Sequence, residues 1–234
     1  MALSANAAAA QQLLLTADGT WENGWAWFGY ESPAPDFGAF AECYSGEYEV
    51  LAVQLSVTGN GFQDPPFADV FVWDDDGNGL PGQVRCIAPN AFLPPPLYPD
   101  WSTFDVPVGP GCCVSDTWWV GFRGVWGGSN LGFYIAADQN GPNRGCSLTN
   151  IAPGLGYPEG WQDVAVRWEP TQALGIGAIV GPCAPVAVAG AHLGRSEGPL
   201  SVRLWKREAA ATATGRRWGS PRSTCSGAIR SSAG

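Results

Sequence analysis

Residues 67–84 read FADVFVWDDDGNGLPGQV. In the first seven, Val70 and Val72 alternate with Asp69, Phe71 and Trp73. That period of two sends successive side chains to opposite faces of a strand. Three aspartates and a Gly-Asn-Gly step then interrupt it. Asp and Asn close turns through their side-chain oxygens, Gly supplies positive φ, and Pro81 leads the chain out. The stretch predicts a strand, a tight turn and the start of a second segment. It also carries a metal reading. Asp74, Asp76 and Asn78 stand at positions 1, 3 and 5 of a D-x-D-x-N-G pattern with Gly79 at position 6, an oxygen set suited to Ca2+. Arg85 occupies position 12, where an EF-hand needs a bidentate acid, so the turn is the first expectation and a simpler calcium cage the second.

The same alternation recurs on both sides of this stretch. In YEVLAVQLSV (48–57), Leu51, Val53, Leu55 and Val57 share one face, with Gln54 and Ser56 on the other. Further strand-sized segments are WENGWAWF (21–28), GAFAECY (38–44), WSTFDV (101–106), TWWVGFR (117–123), LGFYIAAD (131–138), WQDVAVRW (161–168) and ALGIGAIV (173–180). No helical periodicity separates them, and Gly (32) and Pro (20) are abundant. The expected fold is an all-β, antiparallel, jelly-roll-like sandwich, a single domain over residues 20–185. FLPPPLYP (92–99) cannot sit inside a sheet, because Pro lacks the ladder donor, and is expected to be a surface crossover.

Charge and cysteine usage narrow the setting. The net charge of −9 divides into 19 acidic and 4 basic residues before residue 191, a balance of −15, and 2 acidic and 8 basic residues after it, +6. A body so acidic repels nucleic acid and anionic membranes. No apolar run approaches the roughly 20 residues of a membrane-spanning helix. The seven cysteines (43, 86, 112, 113, 146, 183 and 225) form no C-x-x-C pair, which favours disulfides and an extracellular or secreted location over a zinc site. Adjacent Cys112 and Cys113 point to opposite faces of a strand and so need different partners. Residues 1–19 are expected to be a leader or signal-peptide remnant, with Ala5-Asn6-Ala7 resembling a signal-peptidase site. Residues 186–234 are basic and low in complexity, and lose the strand alternation. Two expectations attach to them: contact with an acidic partner, or translation of GC-rich DNA in a shifted frame.

The absences bear on chemistry. The only His (192) and the only Lys (206) lie in that tail, so the body cannot build a Ser-His-Asp or Cys-His centre, a His-ligated metal site or a lysine Schiff base. A carboxylate pair of the glycosidase type would draw on Glu42, Glu47, Glu49 and Asp138. The expectation is nonetheless a domain without catalysis. Ten of the 12 tryptophans lie in the body, more than a core of this size usually consumes. Trp118 and Trp119 must face opposite ways, one to the core and one toward the rim. Trp126, in the Gly-rich GVWGGSN, and Trp161, after GYPEG, are the expected sugar-stacking rings, with Asp138 and Gln139 as hydrogen-bonding neighbours.

The succession FADVFVWDDDGNGLPGQV, WSTFDVPV, WWVGFRG, LGFYIAADQNGPNRG and GYPEGWQDV resembles a class of secreted bacterial accessory domains. These are jelly-roll-like sandwiches, similar in architecture to carbohydrate-binding modules, found in exported hydrolases and large surface proteins. The resemblance covers roughly residues 20–181. It implies the sandwich fold and export. It also implies a module that binds a polysaccharide or cell-surface component, or one that serves a purely structural role.

Overall fold

The computed structural model describes residues 10–27, 37–61, 66–126, 133–168 and 170–183. Residues 1–9 of the expected leader and the whole 186–234 segment, with His192, Lys206 and Cys225, lie outside the described residues. In chain order the strands begin with β1 (Gln12–Leu14), β2 (Asn23–Trp25), β3 (Ala39–Ser45), β4 (Tyr48–Thr58), β5 (Phe67–Asp75), β6 (Pro81–Phe92) and β7 (Ser102–Pro107). Then follow β8 (Cys113–Val114), β9 (Thr117–Gly124), β10 (Tyr134–Asp138), β11 (Leu148–Ile151), β12 (Gly160–Asp163), helix α1 (Val164–Arg167), β13 (Ala173–Leu174) and β14 (Ile176–Gly181).

These strands form two packed antiparallel sheets, so the fold is an all-β sandwich. One sheet runs β1-β14-β4-β10-β13, with β2 also paired to β10 and both β7 and β8 paired to β4. The other runs β12-β11-β3-β9-β5-β6. Val53, Leu55 and Val57 of β4 meet Val70 and Val72 of β5 and Trp118, Val120 and Phe122 of β9 in one buried cluster. The opposite face of the second sheet buries its own cluster, in which Phe71 stacks on Trp73 beside Trp119 and Leu148. Alternation along β5 and β9 feeds both clusters at once.

The opening stretch is a hairpin. β5 ends at Asp75, Asp76 N–H donates to Leu80 O at 2.9 Å, and β6 starts at Pro81. Gly77 and Gly79 both take positive φ there (89° and 81°), as the turn requires. FLPPPLYP crosses from β6 in one sheet to β7 in the other; Leu93 reaches the core, while Leu97 and Tyr98 stay exposed.

Three expectations need correction. Val50, not Leu51, joins the core with Val53, because the β4–β14 register slips between Ile179 and Val180. The extra residue in β4 is a bulge, and it flips the side-chain phase on one side of it. WQDVAVRW is not one strand. It is β12 followed by the single turn α1, whose first amides are capped by Asp163 Oδ1 through Ala165 N–H at 2.8 Å. Trp119 is as buried as Trp118, at 2% and 0% exposed, since the outer aromatic cluster covers it.

Three disulfides brace the sandwich: Cys43–Cys146, Cys86–Cys112 and Cys113–Cys183, with Cα–Cα separations of 5.7, 6.1 and 5.6 Å. Cys112 and Cys113 take different partners, as their opposite faces demand. Cys86–Cys112 joins β6 of one sheet to the residue preceding β8 of the other.

Candidate functional site

The exit of β2 and the turn α1 converge beside β10. Trp25 ends β2, and its indole N–H donates to Thr171 Oγ1 at 3.0 Å. Two residues on, Trp27 N–H donates to Thr149 Oγ1 at 2.9 Å, and that hydroxyl donates to Ala39 O at 3.0 Å. Both indoles are thereby locked. α1 is fixed at its start by Val164 N–H to Ser147 O (3.0 Å) and closed by Trp168 N–H to Val164 O (2.7 Å). This one turn sets Arg167 and Trp168 against Trp25 and Trp27. Trp168 stacks on Trp25 (centroids 5.4 Å, planes 10° apart) and on Phe40 (5.7 Å, 28°), and meets Trp27 edge-on at 5.1 Å. Ring pairs at these distances each add a fraction of a kcal/mol to about 1.5 kcal/mol beyond area burial.

The rings enclose a cleft of about 450 Å³, walled by Trp25, Trp27, Tyr134, Tyr157, Arg167 and Trp168. A second cleft of about 280 Å³, with Asn60 and Tyr98 on its walls, shares Gly24 and Tyr134 with the first. A Cβ at Gly24 would come within 3.0 Å of Tyr134 Cβ and 3.2 Å of Trp101 Cη2, so the missing side chain keeps the junction open. Leu155 and Tyr157, on the loop after β11, are more than a third exposed at the mouth.

Charge in the first cleft comes from Arg167. Its guanidinium carbon lies 4.7 Å from the Tyr157 ring centroid, 5.1 Å from Trp168 and 5.9 Å from Trp27. All three are within cation–π range. The other three body arginines each pair with an aspartate: Arg85 with Asp74, Arg123 with Asp69 and Arg144 with Asp163. Arg167 pairs with no carboxylate among the described residues, and its buried Nε has no hydrogen-bond partner there. Among the described residues, no acidic side chain lines the first cleft.

The residues singled out from the sequence lie elsewhere. Trp126 is 2% exposed, donates to Gly38 O at 2.7 Å, and is wrapped by Phe40, Phe122 and Phe133. A ring covered in this way has no face left for a sugar. Trp161 is half-buried and edge-on to Trp73 (5.7 Å) at the outer aromatic cluster. Asp138 is fully buried and accepts from the N–H groups of Gly141 (2.6 Å), Asp18 (2.9 Å) and Asn140 (3.1 Å). Gln139 donates from its backbone to Glu22 (2.8 Å) and from its side chain to Pro170 O (2.6 Å). None of the four lines the aromatic clefts. The sequence does contain a signal for the ones that do: three tryptophans in WENGWAW, an adjacent Arg-Trp pair, and Tyr157 in GYPEG.

In the hairpin, Asp74 is committed to Arg85 (3.0 Å). Asp76 Oδ1 accepts from the Asn78 and Leu80 amides (2.8 and 3.2 Å), and the Asn78 backbone N–H, the strongest of these donors, helps hold its carboxyl below the usual range. Asp75 accepts from Gly77 N–H (2.7 Å) and Trp119 Nε1 (3.1 Å), tying the turn to the outer cluster. These oxygens serve the turn, and the described residues include no group of three or more His, Cys, Asp or Glu side chains arranged for a metal.

Of the carboxylates considered for hydrolysis, Glu42, Glu49 and Asp138 are likewise engaged in the fold. Glu42 is fully buried and accepts from Ser147 Oγ, Leu174 N–H (2.8 Å) and Cys146 N–H (3.1 Å); burial raises its pKa to about 7 against the pull of those donors. Glu49 accepts from Gly111 N–H at 2.7 Å, and Glu47 is exposed. No protein-family model, curated protein or solved structure matches the chain.

Proposed function

We propose that the sandwich is a non-catalytic, extracellular binding module whose ligand is a saccharide, seated in the cleft between Trp25, Tyr157 and Trp168. The observation that carries this reading is the convergence of locked rings around a cleft of about 450 Å³, with an arginine in its wall that pairs with no carboxylate among the described residues. Ligand sites of small molecules are concave, mostly apolar and furnished with few polar groups, and this cleft has that make-up. Pre-locked rings lose little entropy on binding, which favours stacking against the apolar faces of a sugar. The three disulfides support an oxidising setting. Calcium has no part in the proposal.

Titration of the protein with a panel of neutral and acidic oligosaccharides, read by tryptophan fluorescence and calorimetry, tests it. Binding to at least one saccharide is expected, weakened at least tenfold by Tyr157→Ala with the thermal midpoint little changed. A flat panel removes the reading. It would favour a purely structural accessory module, for which the near-complete burial of Trp118, Trp119 and Trp126 already speaks.

A further inference from the structure

We infer that the saccharide bound in this cleft bears a carboxylate, as in a uronic acid, and that Arg167 is the residue that recognises it. The inference rests on the saccharide reading and adds the ligand's charge class. A half-buried guanidinium surrounded by three rings gives up part of its hydration, which ordinarily calls for a counter-charge. Elsewhere in the described body the fold supplies one each time: Asp74, Asp69 and Asp163 take the other three arginines. At Arg167 the described residues supply only ring faces, and leave Nε without a partner. The planar fork of an arginine matches a carboxylate in two parallel hydrogen bonds, while a neutral hydroxyl matches it with one.

The surroundings argue for one carboxylate and against a polyanion. The body carries −15 before residue 191, so a highly charged chain is repelled at range. At physiological salt the Debye length is about 8 Å, and a single carboxylate inside the cleft is held by the local pair while the distant charges are screened. The shared wall at Gly24 and Tyr134 lets a neutral neighbouring sugar extend toward Asn60 and Tyr98.

The test compares glucuronosyl-β-1,4-glucose with cellobiose, which differ by a single carboxylate, and an acetylated dipeptide with a free C-terminus. Affinities are measured by calorimetry at 0.15 M salt on the full chain and on Arg167→Gln and Arg167→Lys. The uronate should bind the native protein on the order of 10–100-fold tighter than cellobiose, the range expected for charge-assisted hydrogen bonds. Arg167→Gln should bring the two sugars level, and Arg167→Lys should restore part of the gap. Equal binding of the two sugars to the native protein, or a preference that survives Arg167→Gln, overturns the inference and leaves the saccharide reading standing. Binding of neither sugar overturns the inference, and a flat result across the wider oligosaccharide panel overturns the saccharide reading with it. Tighter binding of the dipeptide than of the uronate assigns the carboxylate to a peptide and overturns the inference too. The comparison on the native protein decides the matter even where a variant fails to fold.

Discussion

Glu42 shows what one residue can do to this domain. It lies wholly within the sandwich between β3, the segment before β11 and β13, and satisfies donors from each of the last two. Burial lifts its pKa from an ordinary 4.5 to about 7. Between those values the folded protein holds a proton that the unfolded chain has released, so stability falls as pH rises through this window and levels off above it. The shift corresponds to on the order of 3 kcal/mol. Glu42→Gln should flatten that slope. At low pH, where the native carboxyl is protonated, it should lower stability by about 1–3 kcal/mol, since an amide cannot satisfy the same buried donors; that deficit should close or reverse by pH 8, where the native protein carries the cost of a buried charge. Denaturant melts at pH 5 and pH 8 on both proteins check this; an unchanged slope in the variant would place the titration elsewhere. The same residue explains why it is a poor candidate for hydrolysis: its oxygens face amides and a hydroxyl of the protein.

At the scale of elements, the period of two was enough to find β4, β5, β7 and β9, and the Asp-Gly turn was enough to join β5 to β6. What periodicity could not supply was phase. The bulge in β4 depends on how β14 pairs with it, and α1 depends on a cap at Asp163 inside a segment that alternates like a strand. The site was less legible still. Trp25 and Trp168 lie near opposite ends of the body and meet only through the sheet order, while Trp126 sits in a glycine-rich segment that suggests exposure and yet donates inward to Gly38. One glycine, by contrast, explains a motif. In TWWVGFR, Gly121 faces the β3 backbone, and a Cβ there would fall 2.0 Å from Phe40 O and 2.9 Å from Ala41 Cα. Both obstacles are main chain and cannot rotate away. Gly121→Ala should therefore separate β3 from β9 and cost more than 4 kcal/mol, the range of strong core disruption (about 4–5 kcal/mol or above). Loss of cooperative unfolding in the variant would agree; a melt within about 1 kcal/mol of the native protein, the scale of an ordinary substitution, would show that the strands have room to part.

For the whole molecule, the question is whether the sandwich stands on its core or on its cross-links. Aromatic and β-branched residues fill the main cluster, and aromatic rings with Ala41 and Leu148 the outer one, but the described chain is also divided among fourteen strands, several of only two or three residues. Short strands give little cooperative pairing of their own. The cross-links compensate across long spans: Cys43–Cys146 closes 103 residues, Cys113–Cys183 closes 70 and Cys86–Cys112 closes 26. Each should contribute about 2–4 kcal/mol by restricting the unfolded chain. Taken as additive, the three reach about 6–12 kcal/mol, which is comparable to the whole stability of about 5–15 kcal/mol typical of a domain. Reduction is therefore expected to unfold the protein at 37 °C, or to bring it to the edge of unfolding. Thermal melts followed by tryptophan fluorescence, with and without reductant, measure this, provided that thiol titration confirms all three bonds are open. A collapse of the transition would tie the fold to an oxidising compartment. An unchanged midpoint would mean that the core alone holds the two sheets together, and would remove the cysteines as support for an extracellular setting.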